Sequence, residues 1–409
     1  MNRDAMRLIP AWVFLFILPF THTVALRLLA LFTAFALGVW QWSRTRQPRL
    51  AELPARRWIL FWALLPLVLV PFAVDPRYSL GEIKTEIGYG LLALAVFFVG
   101  IRSETALRSS LYVLFAAFGV MTCWALGARL QAGAWNDASY FGGTATFSVY
   151  VVTVLPLLVM TWSLSLFGRP STEAVALLVV LGLATGLFTE QRGLWPALAA
   201  QGVALLFLLR AARFWTPRPA LFWAAVAAVL MVAALALLEA VSRRFGAQAS
   251  AELLADPRLK NWQQVLGWIA ERPFSGYGFG RGMMKQAFPE MWGRADMFWH
   301  AHNVVLNYGF QLGIAGLVAI VGLFGALLAH WLKLVRADDV LLRAVGIAGA
   351  LIVVGVFARN MTNDLFQRDL SLLFWALTGM LGGFSASRLR DPGRLRDPGR
   401  SRGPVRSRA

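Results

Sequence analysis

The sequence predicts an all-α membrane protein with about 12 transmembrane helices and one long outer loop, itself partly helical, between spans 9 and 10. Hydrophobic residues make up 58% of the 409 residues and charged residues only 15%, with a mean hydropathy of +0.61. A soluble chain of this length could not bury so much apolar surface. Apolar runs of roughly 16–22 residues, about the length that crosses a bilayer, recur along the chain.

The predicted spans are separated by short polar segments, except where the long loop interrupts the series. The first, fourth and seventh are short, which suggests tilted or partly sunken helices. The spans are expected at 8–20, 24–42, 58–73, 87–101, 107–126, 144–167, 174–188, 193–209, 219–240, 303–332, 340–358 and 369–386.

The distribution of basic residues predicts the orientation. With the N-terminus in the cytoplasm, the inner segments carry 24 Lys and Arg, the short outer loops 7, and the long outer loop the remaining 8. Lys and Arg accumulate in cytoplasmic segments, so both ends of the chain are expected there. The predicted organisation is 1–240 for spans 1–9, 241–302 for the long loop, 303–386 for spans 10–12, and 387–409 for a disordered basic tail.

The net charge of +18 has a membrane explanation. In a soluble protein it would indicate nucleic acid, but here it reflects the inner segments and the tail, which repeats RLRDPG. We expect these groups to meet anionic membrane lipids, with no nucleic-acid partner. The single cysteine, Cys123, lies in an apolar run and is interpreted as a packing residue.

The long loop contains the segment RLKNWQQVLGWIAERP, which predicts a helix that ends before Pro273. Its apolar residues Leu259, Trp262, Leu266 and Ile269 recur every three or four positions. We therefore expect these side chains to form the packed face of a helix on the membrane surface or at the mouth of the bundle.

The next segment, SGYGFGRG, alternates glycine with larger residues. No strand precedes it, so it is not a dinucleotide-binding motif. It predicts a flexible turn, with close approach of the backbone to a substrate as the alternative.

Two histidines, His300 and His302, stand beside Asn303 where the long loop meets the tenth predicted span. A single histidine is usually structural, but this pair at the mouth of a helical bundle favours a functional role. Positions i and i+2 do not share a helical face, and no cysteine set or HExxH motif supplies further ligands. The sequence therefore predicts no metal site.

Charged residues on the predicted outer side are the other candidates, because ionisable groups at membrane depth are costly. Arg192 begins the eighth span, Arg258 begins the loop helix, and Lys84 and Asp364 lie in other outer segments. Each of the four also has a structural interpretation. Arg192 could pair with Glu190, and Arg258 could simply be solvated. Lys84 could pair with Glu82 or Glu86, and Asp364 with Arg359 or Arg368.

Together these residue types indicate a chemistry. The planar guanidinium of arginine binds phosphate in a bidentate manner and stays charged, and a histidine near neutral pH can accept a proton. Two arginines and a histidine fit a phosphate-bearing substrate and a reaction that deprotonates a hydroxyl.

Four short motifs in this order resemble the O-antigen ligase/polymerase superfamily. They are R-x-x-x-W at Arg258, P-x-x-G-x-G at Pro273, H-N-x-x-L at His302 and G-x-x-G at Gly313. The segment QRGLW around Arg192 is similar to that family's S-R-G-x-W segment, with Gln191 where serine is common. The predicted topology, with its late outer loop, extends the resemblance over most of the chain.

The resemblance implies a metal-independent, inverting glycosyltransferase of the bacterial inner membrane, with a periplasmic active site and no cofactor. The donor would be O-antigen linked to undecaprenyl diphosphate and the acceptor a lipid A–core sugar. In this scheme Arg192 and Arg258 hold the diphosphate and His302 is the base. Substrate contacts are expected from Asn303, Lys84, His300, Trp262 and Asp364.

Polymerases of the superfamily resemble one another in an R-x₁₀-G pattern in two outer loops. No arginine of the long loop here has glycine eleven residues later, and Arg77 to Gly88 fits once in a different loop. The sequence therefore favours a ligase, expected to be monomeric, over a polymerase. The alternative of another class is a polysaccharide or solute transporter, although no internal repeat supports it.

Overall fold

In a computed structural model, the described part of the chain folds mainly into helices. The structure describes residues 3–45, 50–132, 143–164, 166, 169–212, 257–291, 300–364, 366 and 368–390. The helices of this part are α1 (Arg3–Ile17), α2 (Val24–Thr45), α3 (Arg56–Leu69), α4 (Pro76–Glu82), α5 (Tyr89–Gly100), α6 (Glu104–Ala132), α7 (Gly143–Ser163), α8 (Arg169–Leu187), α9 (Leu194–Ala211), α10 (Pro257–Glu271), α11 (Met283–Ala287), α12 (Val304–Leu334), α13 (Val340–Asn360) and α14 (Arg368–Arg390).

The all-helical membrane class is confirmed. Within the described residues, eight helical segments are long and apolar enough to cross a membrane: Val24–Arg44, Pro76–Gly100, Glu104–Gln131, Gly143–Ser163, Leu194–Ala211, Val304–Leu334, Val340–Asn360 and Arg368–Arg390. Two shorter apolar helices cover Met6–Ile17 and Glu173–Leu187. The total of twelve spans stays a prediction, since the ninth, at 219–240, lies outside the described residues.

The fourth span begins earlier than the sequence predicted. The Asp75 side chain caps its first turn by accepting a hydrogen bond from Tyr78 N. The segment then passes through a π-helical turn, Ile83–Gly88, before continuing as α5. The charged residues of GEIKTEI lower its hydropathy, which is why the apolar pattern located only the second half.

Glycines allow the centre of the bundle to pack closely. A Cβ atom on Gly379 of α14 would lie 2.4 Å from the carbonyl oxygen of Leu94 in α5, and one on Gly383 would lie 2.2 Å from that of Phe98. Small residues of this kind let helix backbones approach in membrane proteins, where packing contributes much of the association energy. These two helices therefore form a tightly fitted pair.

Segments predicted to share a side of the membrane meet at the same end of the bundle. At one end, Arg388 of α14 pairs with Asp339, 2.8 Å away, and with Glu104. At the opposite end, Arg27 of α2 pairs with Asp369. These contacts agree with the alternation of the predicted spans, and the orientation of the whole bundle in the membrane stays a prediction.

Helix α12 is broken at Gly313, whose φ of 66° lies in the left-handed region. The glycine-rich segment after α10 docks at the break. Tyr277 N donates to the carbonyl of Phe310, Gly278 N donates to that of Gln311, and Ile314 N donates to that of Pro273. The backbone groups exposed by the break are thus satisfied from within the protein, as membrane depth requires.

The glycines of this segment permit that docking, because they have no side chain to meet α12. Gly276 has a φ of 61°, and a Cβ atom on it would lie 2.3 Å from the carbonyl oxygen of Gln311. The prediction of a flexible turn is therefore wrong: the segment is fixed against α12. The close approach that these glycines allow is to the backbone of α12.

Candidate functional site

Helix α10 supports the His300–His302 segment from its first turns. Asn261 Nδ2 donates to the carbonyl of His300 over 3.2 Å, and Trp262 Nε1 donates to that of Ala301 over 2.9 Å. Trp262, predicted as a substrate contact, therefore holds the backbone just before His302.

The packed face of α10 differs from the predicted one. The structure buries Val265, Trp268 and Ile269, whereas Leu259 and Leu266 are exposed. Trp268 stacks on Phe288 with ring centroids 4.3 Å apart, which rotates the helix toward the aromatic side chains of the loop. The sequence periodicity could not distinguish this face from the exposed apolar one.

His300 and His302 lie against each other. Their ring centroids are 3.8 Å apart, and the backbone N–H of His302 donates to Nδ1 of His300 over 3.0 Å. His300 is only 1% exposed, whereas His302 is partly exposed. Of the two, His302 is thus the one that a substrate can reach.

The environment of His300 opposes its protonation. Its Nε2 lies 2.9 Å from a terminal nitrogen of Arg281. Burial, together with the charges of Arg281 and of His302, lowers the pKa of His300 to about 2. His300 is therefore neutral near neutral pH and cannot serve as an effective general base.

Asn303 caps α12. Its Oδ1 accepts hydrogen bonds from Val305 N and Leu306 N, 3.0 and 3.1 Å away, and its Nδ2 donates to the carbonyl of Met361. Asparagine is a preferred N-cap residue, because its side chain satisfies amides that the helix leaves open. Both the oxygen and the nitrogen of this side-chain amide, which was predicted to bind substrate, therefore have hydrogen-bond partners within the protein.

Asp364 lies on the same segment, three residues beyond Met361, and is buried. Asn307 of α12 donates a short hydrogen bond to it. Burial raises the pKa of Asp364 to about 6, although Arg281 and hydrogen bonds act against the shift. The predicted pairing with Arg359 is wrong, because Arg359 bonds instead to Ser148 and Gln191.

Arg281 and Glu86 are two residues of this region that sequence analysis did not select. Burial lowers the pKa of Arg281, while the charges of Asp364 and Glu86 act in the opposite direction. Glu86 is buried in the π-helical turn, whereas Lys84, the residue chosen from the same turn, is exposed. The feature that could have identified Glu86 from the sequence is a carboxylate that lies on an apolar face of the turn.

The segment that carries Arg192 is fixed to the end of α13. The buried guanidinium of Arg359 donates to Gln191 Oε1 over 2.9 Å. A Cβ atom on Gly193 would lie 2.3 Å from the hydroxyl oxygen of Thr362, so the two segments approach each other closely here. Gln191, where the family commonly has serine, thus has a defined partner here.

Arg192 and Arg258 are the two predicted phosphate-binding arginines. Arg192 is exposed, and its side chain forms no hydrogen bond or ion pair within the described part of the chain. Arg258 is close enough to Arg359 for their charges to repel each other. The segment from Arg359 to Asp364 thus connects the surroundings of Arg192, Arg258 and His302 at one end of the bundle.

This architecture defines a multi-pass helical membrane protein with a cluster of arginine and histidine at one end. Residues 177–321 match the family model described as O-antigen ligase. The matched range includes Arg192, Arg258 and His302, so the chain is similar to this family over the part that holds the three residues. Members of this family are sugar-transferring enzymes, either ligases or polymerases, that use lipid-linked glycans. No curated protein matches the chain.

Proposed function

We propose that the protein is an O-antigen ligase, which transfers O-antigen from undecaprenyl diphosphate to a hydroxyl of a lipid A–core sugar at the periplasmic face of the bacterial inner membrane. The observation that carries the proposal is the position of His302. It is partly exposed at the mouth of the bundle, beside the segment that joins the surroundings of both arginines.

The transfer requires one new bond and one broken bond. The acceptor oxygen attacks the anomeric carbon from the face opposite the leaving group, so the configuration inverts. The bond from that carbon to the phosphate oxygen breaks, and undecaprenyl diphosphate leaves with the electron pair. His302 takes the proton of the hydroxyl, and a general base in this role typically contributes about 10²–10⁴-fold.

Arg192 and Arg258 stabilise the leaving diphosphate as its charge develops. Fixed positive groups that face a developing charge lower the barrier, because they need not reorganise during the reaction. The exposed side chain of Arg192 leaves its guanidinium available for a phosphate. The proposed scheme needs no metal and no soluble nucleotide, since the lipid diphosphate itself is the leaving group.

The ligase is preferred to a polymerase because the long loop lacks the R-x₁₀-G pattern by which polymerases resemble one another. Both activities belong to the matched family, so the choice between them rests on this sequence feature. The substrates that distinguish them are the lipid A–core acceptor for a ligase and a second lipid-linked unit for a polymerase.

The test is complementation of a strain that lacks the protein and makes O-antigen. We expect His302→Ala to abolish lipopolysaccharide capped with O-antigen on a gel while the protein still inserts at normal levels. Arg192→Lys should also fail, because an ammonium cannot replace the bidentate guanidinium. His330→Ala, a change at the opposite end of α12, is the control and should complement fully.

The same strain separates the alternatives. Loss of a ligase leaves lipid-linked O-antigen on the periplasmic side, loss of a polymerase leaves single units on the core, and loss of a transporter leaves the lipid-linked glycan facing the cytoplasm. Capped lipopolysaccharide at the wild-type level with His302→Ala would contradict the assignment of the base.

A further inference from the structure

The backbone of His302 has an unusual conformation. Its φ of 50° lies in the left-handed region, which non-glycine residues seldom adopt. Strained conformations of this kind are costly and persist only where the surroundings impose them. The surroundings of His302 must therefore supply contacts that hold it.

One contact reaches the His302 backbone directly. Its N–H donates to Nδ1 of His300 over 3.0 Å, and the two rings lie with their centroids 3.8 Å apart. An imidazole nitrogen accepts a hydrogen bond only while it carries no proton. The contact therefore needs His300 to keep Nδ1 unprotonated.

Arg281 lies against the other nitrogen of the same ring, 2.9 Å from Nε2. A neutral imidazole has one accepting nitrogen, so while Nδ1 accepts from His302 N–H the proton is on Nε2, where Arg281 can form no hydrogen bond because it can only donate. A doubly protonated His300 would oppose N–H groups on both sides. Of these two contacts, the hydrogen bond is therefore the one with the His302 backbone.

We propose that His300 is a positioning residue that holds His302 in its left-handed conformation, with the His302 ring directed to the acceptor hydroxyl. This inference rests on the proposed function, in which His302 is the base. It replaces the prediction that His300 contacts substrate, because a side chain that is 1% exposed offers no surface to a sugar. The accepting Nδ1 of His300 fixes the His302 backbone.

Two substitutions test the accepting nitrogen. In His300→Asn, the side-chain oxygen occupies the place of Nδ1 and still accepts from His302 N–H. In His300→Gln, the longer amide reaches the place of Nε2, and the bond to His302 N–H is lost. His300→Ala removes the side chain and the bond together.

The measurement is kcat and KM of the purified full-length protein, reconstituted with lipid-linked O-antigen and lipid A–core. Small displacements of a catalytic group reduce rates by up to about 10²-fold. We expect His300→Gln and His300→Ala to lower kcat by on the order of 10–100-fold, with His300→Asn much closer to wild type. KM for both substrates should stay within about twofold, because displacement of the base leaves ground-state binding intact. The thermal midpoint of each variant checks that the protein is folded.

Three results would overturn the positioning role. The first is a wild-type kcat for His300→Gln, and the second is a His300→Asn protein as inactive as His300→Ala. The third is a raised KM at unchanged kcat in the His300 variants, which would indicate that His300 binds substrate. His302→Ala in the same assay distinguishes failure of the proposed function from failure of the positioning role alone. If His302→Ala is fully active, the base is another group. If it is inactive while His300→Gln is normal, the base assignment stands and only the positioning role fails.

Discussion

Asn303 shows how a residue can be structural although the next side chain, that of His302, is partly exposed at the candidate site. Its side-chain oxygen caps α12, and its side-chain nitrogen donates to Met361, 3.1 Å away. The resemblance implies a substrate contact for this residue, whereas the structure accounts for both ends of the amide. A substitution can separate the two roles.

Asn303→Ser keeps an oxygen that can cap α12 but removes the donor to Met361, and Asn303→Ala removes both. Loss of an N-cap typically costs about 1 kcal/mol. We therefore expect Asn303→Ala to lower the thermal midpoint in detergent, and Asn303→Ser to retain most of the stability and of the transferase activity. A stable but inactive Asn303→Ser protein would indicate that the amide contacts a substrate.

Among the structural elements, apolar runs located helices well, whereas apolar periodicity located the packed face of α10 poorly. Eleven of the twelve predicted spans overlap a described helix. Length and hydropathy suffice for this, because they are properties of a segment alone. The packed face of α10 depends on partners distant in the sequence, such as Phe288, which stacks on Trp268. The sequence therefore predicted Leu259 and Leu266 on the packed face, where the structure has Val265 and Trp268.

The docking of the glycine-rich segment on α12 gives a prediction for this element. In Gly276→Ala the new methyl group would meet backbone atoms of Gln311, which cannot rotate away, at a φ of 61°. The strained backbone alone costs about 1–3 kcal/mol. We expect less folded protein in the membrane and a lower thermal midpoint.

Gly267→Ala in α10 is the matched control for this substitution. A Cβ atom there would meet no atom within 4 Å, and alanine in a helix is favoured over glycine by about 1 kcal/mol. This variant should be as stable as wild type or more so. Equal stability of both variants would contradict a docking role for Gly276.

At the scale of the whole molecule, the candidate site is assembled from distant parts of the sequence. Residue chemistry and a resemblance point to His302, Arg192 and Arg258. They do not point to Arg281 or Glu86, because the environment of these two residues depends on burial and on charges brought together by the fold. Arg359 was predicted only as a partner of Asp364, whereas it holds the Arg192 segment through Gln191.

The orientation of the bundle gives the last prediction. Asp338, between α12 and α13, and Glu290, after α11, are both exposed and lie in segments predicted on opposite sides of the membrane. Cys123 is the single cysteine, so Cys123→Ser provides a background for Glu290→Cys and Asp338→Cys, each made separately. A maleimide that cannot cross the inner membrane should label Glu290→Cys in spheroplasts, and should label Asp338→Cys only after lysis. The positive-inside rule predicts this pattern, because the cations around Asp338 belong to the cytoplasmic set. The reverse pattern would place His302 in the cytoplasm, away from a periplasmic acceptor, and would contradict both the orientation and the proposed reaction.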